Sequence, residues 1–336
     1  MPPLITFTNK GLYCAKANVY IDPWKSVGRA LVTHGHSDHA RRGHGAYLCH
    51  HDSVNILKHR LGKISVQGIS YGEAIVINGV TITFHPAGHV FGSAQIKLKD
   101  NKESWVISGD YKLDNDGVAT PFEAVQCDHF VTESTFGLPV YRWKNQKEIY
   151  NEINEWWQEN AKRNKASMIC AYSLGKAQRV IKNIDSNLGP IVTHPSVEAI
   201  NKLIRDSGLE LPTTYSVSNL SNEDLSKAMF IGPPSAHSGK WLHGTKDISV
   251  ATASGWMAVR GKRRRRNLEK GFVLSDHADW TGLNKAVAET GAEHIYVTHG
   301  YSEIYAKYLR EKGLNAKVVS TEYEGEALES VSTSES

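Results

Sequence analysis

The chain has 336 residues, 40% of them hydrophobic and 22% charged, with a net charge of +4. That length can bury a full core in about two domains, and no apolar run approaches the ~18 residues that a membrane-spanning helix needs. The opening Met1-Pro2-Pro3-Leu4-Ile5 lacks the basic and apolar stretches of a secretory signal, and Cys14, Cys49, Cys127 and Cys170 form no paired pattern, so a cytoplasmic protein with single buried thiols is expected.

From Leu4 to about Leu138, short β-rich runs alternate with Gly- and Asp-containing turns: Asn18 to Ile21, Ala30 to Thr33, Ala74 to Ile77, Val80 to Phe84, Ala94 to Leu98 and Trp105 to Ser108. Asn78-Gly79 between two of these runs predicts a tight hairpin, and Asp52 to Leu61 reads as a helix. After Gly137-Leu138-Pro139 the texture changes. Gln146 to Arg163 places Ile149, Ile153, Trp156 and Trp157 at helical spacing, with both tryptophans read as core. Strand–helix alternation follows through Ser167 to Ala171, Lys176 to Ile184, Pro190 to Val192 and Val197 to Arg205, the rhythm of a parallel α/β sheet. From about Gly271 the first style resumes, with Phe272-Val273-Leu274 and Ile295-Tyr296-Val297 each running into ligand-type residues. The simplest organisation is one domain in two parts, 1–137 and 270–321, split by an insertion at 138–269. The segment 322–336 carries five glutamates and no Lys or Arg, and is expected to be a disordered acidic tail.

The chemistry concentrates in Thr33-His34-Gly35-His36-Ser37-Asp38-His39, directly after the apolar run Arg29-Ala30-Leu31-Val32. Residues i and i+2 of an extended segment point the same way, so His34 and His36 can grip one metal. With a helix beginning near Ser37, Asp38 and His39 face a different direction and can grip a second. A lone histidine in a loop is ordinarily a solvated side chain; four ligand-type residues within six positions are not. Three more strand ends offer His89 in a Gly-flanked loop, Asp110 after Trp105-Val106-Ile107-Ser108-Gly109, and His299 after Val297-Thr298.

This ordered set resembles the metallo-β-lactamase superfamily, with Asp22 matching its first motif, His34/His36/Asp38/His39 its second, His89 its third and Asp110 its fourth. Val131-Thr132-Glu133-Ser134-Thr135-Phe136-Gly137, Leu274-Ser275-Asp276-His277-Ala278-Asp279 and Val297-Thr298-His299-Gly300 are similar to the three motifs of its β-CASP nuclease branch, and Tyr172 to Arg179 to a helix-opening segment of the β-CASP insertion. Ser254-Gly255-Trp256-Met257, the run Arg260 to Arg266 and Ser275 to Trp280 are most similar to bacterial exonucleases associated with a DNA ligase and a helicase in repair gene clusters. The resemblance spans about residues 5 to 320. It implies an α/β fold of the α+β-sandwich kind, with αββα layers and an inserted α/β β-CASP domain. One metal would take His34, His36, His89 and Asp110. The second would take Asp38, His39, His299 and a shared Asp110, with Asp22 orienting an imidazole N–H. His/Asp ligation suits two Zn²⁺, and the carboxylates also admit Mn²⁺.

The implied activity is a DNA exonuclease that hydrolyses phosphodiester bonds with a hydroxide held between two metals, working in end repair beside a ligase. Two divalent cations leave net positive charge after Asp38, Asp110 and a hydroxide, which attracts a phosphodiester. The leaving sugar oxygen needs a proton, and His277 with Glu133 hydrogen-bonded to it is the candidate acid. Glu133, His277 and Asp38 thus form the catalytic set. Arg260, Arg263, Arg264, Arg265 and Arg266, with Lys262, are either a solvated face or a phosphate-tracking patch, and guanidinium forks favour backbone over base contacts. Ser173 and Lys176 sit at an expected helix start suited to a phosphate. His299 is shared with RNA-directed members of the branch, which leaves an RNA-processing nuclease as the alternative. A small-molecule hydrolase would need neither the insertion nor the arginine run, and a scaffold would not need a full ligand set.

Overall fold

The computed structural model describes residues 3–237, 239–245, 247–259 and 270–323. Among them the chain folds as two compact units, one built from residues 3–115, 119–142 and 277–323, the other from 116–118 and the described part of 143–276.

The first unit opens with strands β1 (Thr6–Thr8), β2 (Gly11–Cys14), β3 (Val19–Ile21), β4 (Arg29–Leu31), β5 (Ala46–His50) and β6 (Val66–Ile69), which lie in that order in one six-stranded sheet. The helix His51–Leu61 crosses between β5 and β6, and Gly62 ends it at φ +75°. Next come β7 (Ala74–Ile77), β8 (Val80–Pro86), β9 (Ala94–Lys99), β10 (Ser104–Ile107) and β11 (His129–Ser134). The β7–β8 hairpin pairs Ile77 with Val80 across Asn78 (φ +49°) and Gly79 (φ +74°), the left-handed pair that an Asn-Gly turn supplies.

The second unit holds the helices Gln146–Lys162, Lys176–Asn183, Pro195–Asp206 and Asn222–Ser226 and the strands β12 (Ala166–Cys170), β13 (Ile191–Thr193), β14 (Met229–Gly232), β15 (Ile248–Ala253) and β16 (Lys270–Phe272). The strands make a five-stranded sheet, order β13-β14-β12-β15-β16, with every pair parallel. Side chains alternate across it: Ile169, Ile231 and Ala251 face a core containing Trp156 and Trp157, while Met168, Phe230 and Val192 fill the core of the other face. The chain then returns to the first unit through the helix Trp280–Thr290, β17 (His294–Gly300), the helix Ser302–Glu311 and β18 (Asn315–Val318).

In the first unit the second sheet has the order β18-β17-β11-β10-β9-β8-β7. Its β10–β11–β17–β18 part is parallel and its β7–β10 part antiparallel. Leu12, Ile21 and Leu31 of the six-stranded sheet pack directly against Phe84, Ile96, Trp105 and Val131 of this one. The helix His51–Leu61 covers the outer face of the first sheet through Leu57 and Leu61, and the two C-terminal helices cover the second through Leu283, Val287, Tyr305 and Leu309. The layers therefore run helix, sheet, sheet, helix, the αββα sandwich implied by the sequence motifs. All four cysteines are buried. Among the described residues no helix is long and apolar enough to cross a membrane.

Candidate metal centre

After β4 the chain stays extended through Val32, whose N–H donates to Leu48 O at 2.8 Å, and then tightens into a single turn closed by Ala40 N donating to His36 O at 2.8 Å. This turn, rather than a helix, gives the histidine-rich string its two directions. His34 Nε2 lies 3.2 Å from His36 Nδ1, and His89 Nε2 lies 3.0 Å from the same atom. Asp110 Oδ2 faces this trio at 3.5 Å from His34 Nε2 and 3.7 Å from His89 Nε2. The other Asp110 oxygen, Oδ1, faces His39 Nε2 at 3.5 Å and His299 Nε2 at 3.2 Å, while Asp38 Oδ2 lies 3.6 Å from His39 Nε2. Two groups of metal-ligand atoms, His34/His36/His89/Asp110 and Asp38/His39/Asp110, thus meet at one shared carboxylate, each group within 4.8 Å.

Asp22 ties the string together from beneath. Its Oδ1 accepts the Thr33 N–H at 2.8 Å, while Oδ2 accepts the Thr33 hydroxyl at 2.5 Å and faces His39 Nδ1 at 2.7 Å. That contact leaves His39 Nε2 directed at Asp110. Asp22 itself stands at φ +41°, a left-handed conformation that Asp adopts more readily than most residues. Two glycines allow the ligand loops to nest. A Cβ on Gly109, beside Asp110, would lie 2.6 Å from Thr33 Oγ1, and one on Gly300, beside His299, 2.4 Å from Ser134 O.

His277 begins the returning segment, where Ala278 N donates to Tyr111 O at 2.7 Å. Its Nδ1 lies 2.8 and 3.0 Å from the two Glu133 oxygens, and Glu133 Oε1 also accepts Tyr111 N–H at 2.9 Å. The His277 ring sits 4.7 Å from that of His89. The imidazole–carboxylate pair is therefore built against the ligand cluster, and Glu133, Asp110 and His299 also offer a third group of ligand-type atoms.

The residues fit divalent cations. His39 Nε2, His299 Nε2 and Asp110 Oδ1 are buried and make no hydrogen bond among the described residues, although they converge on one another. Buried donors and acceptors are seldom left so unless a ligand completes them. Burial, with His39 and His89 alongside, holds the His34 pKa well below its usual value, which keeps that imidazole in the neutral form that binds metal. Burial pushes Asp110 up, but His39 and His277 outweigh it and hold its carboxyl well below the usual range. For His39, burial pulls down while Asp110, Asp38 and Asp22 prevail and raise it well above the ordinary value.

Other sequence-selected residues fall elsewhere. Ser173 Oγ bonds Ser196 Oγ at 2.8 Å. Lys176 opens the helix Lys176–Asn183 and is fully buried, with Nζ 3.8 Å from Asp276 Oδ2 and 5.0 Å from the Tyr172 ring centroid. A low-dielectric site favours such pairing over solvent. Arg260, Arg263, Arg264, Arg265 and Arg266 lie outside the described residues. The acidic tail also begins differently from expectation. Glu322 O accepts from Arg41 at 3.1 Å, and the partly buried Tyr323 stacks on His39 with ring centroids 4.4 Å apart. Tyr323 is missing from the residues that the sequence singles out; an aromatic set among glutamates was the only local signal. The residues 324–336 lie outside the described chain.

Layers, insertion and ligand-bearing strand ends define the class: the metallo-β-lactamase fold with a β-CASP-type insertion. The chain is 27% identical over 319 residues, 94% of its length, to a protein of Opitutus terrae named "Probable DNA ligase", of which it spans 31%. It is 28% identical over 145 residues to the "Uncharacterized protein in lig 3'region" of Acidianus ambivalens, which takes in 42% of this chain and 99% of that one. Over 126 residues, 36% of the chain, it is 26% identical to cleavage and polyadenylation specificity factor subunit 3 of Dictyostelium discoideum, of which it spans 16%. The chain thus spans about a third of the Opitutus protein's length and about a sixth of the Dictyostelium protein's. No family model matches the chain. Among solved structures, a protein of unknown function from Enterococcus faecalis V583 shares the fold at a TM-score of 0.60 and 12% identity, covering 88% of this chain and 80% of that one.

Proposed function

We propose that this protein is a metal-dependent DNA exonuclease that trims DNA ends in the cytoplasm beside a ligase. The observation that carries the reading is the shared Asp110 carboxylate between two ligand groups, with the Glu133–His277 pair set against them. His34, His36, His89 and Asp110 would hold one cation, and Asp38, His39, His299 and Asp110 the other, with Zn²⁺ the first candidate and Mn²⁺ the next. Such ions supply positive charge for a phosphodiester and a water acidified to a pKa of about 7.

The chain's own residues do the rest. Asp22 fixes the His39 ring. Glu133 accepts from His277 Nδ1, which assigns Nε2 as the atom that hands a proton to the leaving sugar oxygen as the P–O bond breaks and water oxygen joins phosphorus. Glu133 also balances the charge of the protonated ring, so a proton is held where the poor leaving group needs it. The name of the Opitutus relative and the arginine run Arg260 to Arg266 support a DNA polymer as the substrate and a ligase as the neighbouring activity.

A second reading, an RNA-processing nuclease, is favoured by His299 in the ligand set and by the likeness to the Dictyostelium subunit. One experiment separates the two. DNA and RNA of one sequence, labelled at the 5′ or the 3′ end, are incubated with Zn²⁺ or Mn²⁺, with a chelator control and a His34→Ala preparation alongside. Metal-dependent DNA trimming that His34→Ala abolishes is the expected result. Faster cleavage of RNA selects the second reading, and inertness toward both polymers overturns the nuclease assignment.

A further inference from the structure

Past β18, Val319 N donates to Val297 O at 2.9 Å, and the Arg41–Glu322 contact steers the chain back over the metal centre. Tyr323 then lies flat on His39, its ring 4.4 Å away and inclined by 16°. It meets His299 edge-on at 5.8 Å and 86°, and Trp24 at 5.6 Å and 79°. Its hydroxyl donates to Asp22 O at 3.2 Å. Together with Asp22, His39, Gly109 and His299 it lines a small cavity behind the ligands.

We propose that Tyr323 is a positioning residue for the half of the metal centre formed by Asp38, His39 and His299, acting as the wall that sets the plane of the His39 ring. The argument is geometric. Asp22 Oδ2 fixes the direction of His39 Nδ1, and the His34 ring meets His39 at 4.2 Å but inclined by 42°, so it does not lie flat on the ring. A flat ring stacked on the His39 face removes tilt and so fixes where Nε2 points. The same tyrosine holds the Asp22 carbonyl, at a residue already turned to φ +41°, so it braces both the imidazole and the carboxylate that orients it. The other half is assembled without it: His34, His36 and His89 contact one another edge-on, with centroids 4.7–4.9 Å apart. Among the described residues, the ring contacts of Tyr323 fall on Trp24, His39 and His299. The effect of removing Tyr323 therefore falls mainly on the cation of Asp38, His39 and His299, the group that its ring touches. This inference rests on the two-cation reading above.

The test uses the full chain stripped with chelator and titrated with Zn²⁺, read by calorimetry and by metal content after desalting. Tyr323→Leu, Tyr323→Phe and the unaltered protein are compared, and circular dichroism checks that each is folded. The unaltered protein should take up two equivalents. Tyr323→Leu should weaken the second by roughly 10–100-fold, the usual scale for a residue supporting a metal ligand, and leave the first nearly unchanged. Tyr323→Phe keeps the stack and should retain both, with the second only a few-fold weaker. Two equivalents of undiminished affinity in folded Tyr323→Leu, or equal weakening of both, overturn the role of Tyr323 while the two-cation reading stands. Fewer than two equivalents in the unaltered protein overturn that reading and this inference with it.

Discussion

In the first unit, the buried Nε2 atoms of His39 and His299 converge on Asp110 Oδ1 without a hydrogen bond among the described residues. In the second, the equally buried Arg179 divides its guanidinium between Asp276, Asp116 at 3.0 Å and Gln146 at 2.6 Å, while Lys176 stands 3.8 Å from Asp276. An unsatisfied buried polar group costs about 1–3 kcal/mol, so the first arrangement makes sense only where something binds. Mutually paired charges in the second need no ligand, and removing either partner strands the other. Both clusters look alike in a sequence, as polar residues between apolar runs. What separates the two is composition: the first gathers imidazoles and carboxylates with metal-ligand atoms around one shared Asp110, while the second sets a guanidinium and an ammonium against carboxylates.

Substitutions can break that contrast, and the largest effect belongs to the shared carboxylate. Asp110→Ala removes an oxygen from both groups, so both equivalents of metal and all hydrolysis above the buffer control should vanish, as read by metal content and a labelled-DNA assay. Next comes His277→Ala, expected to keep both metals yet slow DNA hydrolysis roughly 10²–10⁴-fold. A nitrophenyl phosphodiester, whose leaving group needs no proton, should be spared; equal slowing on both substrates would rule out the acid role. In the paired cluster, Arg179→Met should leave metal stoichiometry untouched and cost about 3–5 kcal/mol in urea unfolding, because Asp276 and Asp116 lose their shared partner. The smallest effect is that of Lys176→Met, about 1–3 kcal/mol, since Arg179 still faces Asp276. A Lys176→Met protein with normal stability and weakened DNA binding would instead return that lysine to the substrate.

Much of this was legible beforehand, for identifiable reasons. Asn78-Gly79 announced its hairpin because few other dipeptides take two consecutive left-handed residues. The spacing of His34, His36, Asp38 and His39 marked residues whose ligand-type atoms come together, and helical period marked Trp156 and Trp157, both buried. The burial of Lys176 was not legible, because a helix start says nothing about which side of the fold it faces. Tyr323 was invisible because its partner Asp22 lies 301 residues earlier, and composition among glutamates points to solvent. Local pattern registers what a residue is; it does not register what returns to meet it.

The nesting of Gly109 on Thr33 and of Gly300 on Ser134 carries one more consequence. With no side chain between them, the loops bearing His34, Asp110 and His299 rest backbone against neighbour, and the span between the two ligand groups is set by chain contacts before any ion arrives. Such a centre works as a fixed gauge. On the two-cation reading it would choose ions by the separation they tolerate, and a single added carbon at Gly109 would shift the Asp110 carboxylate that both groups share.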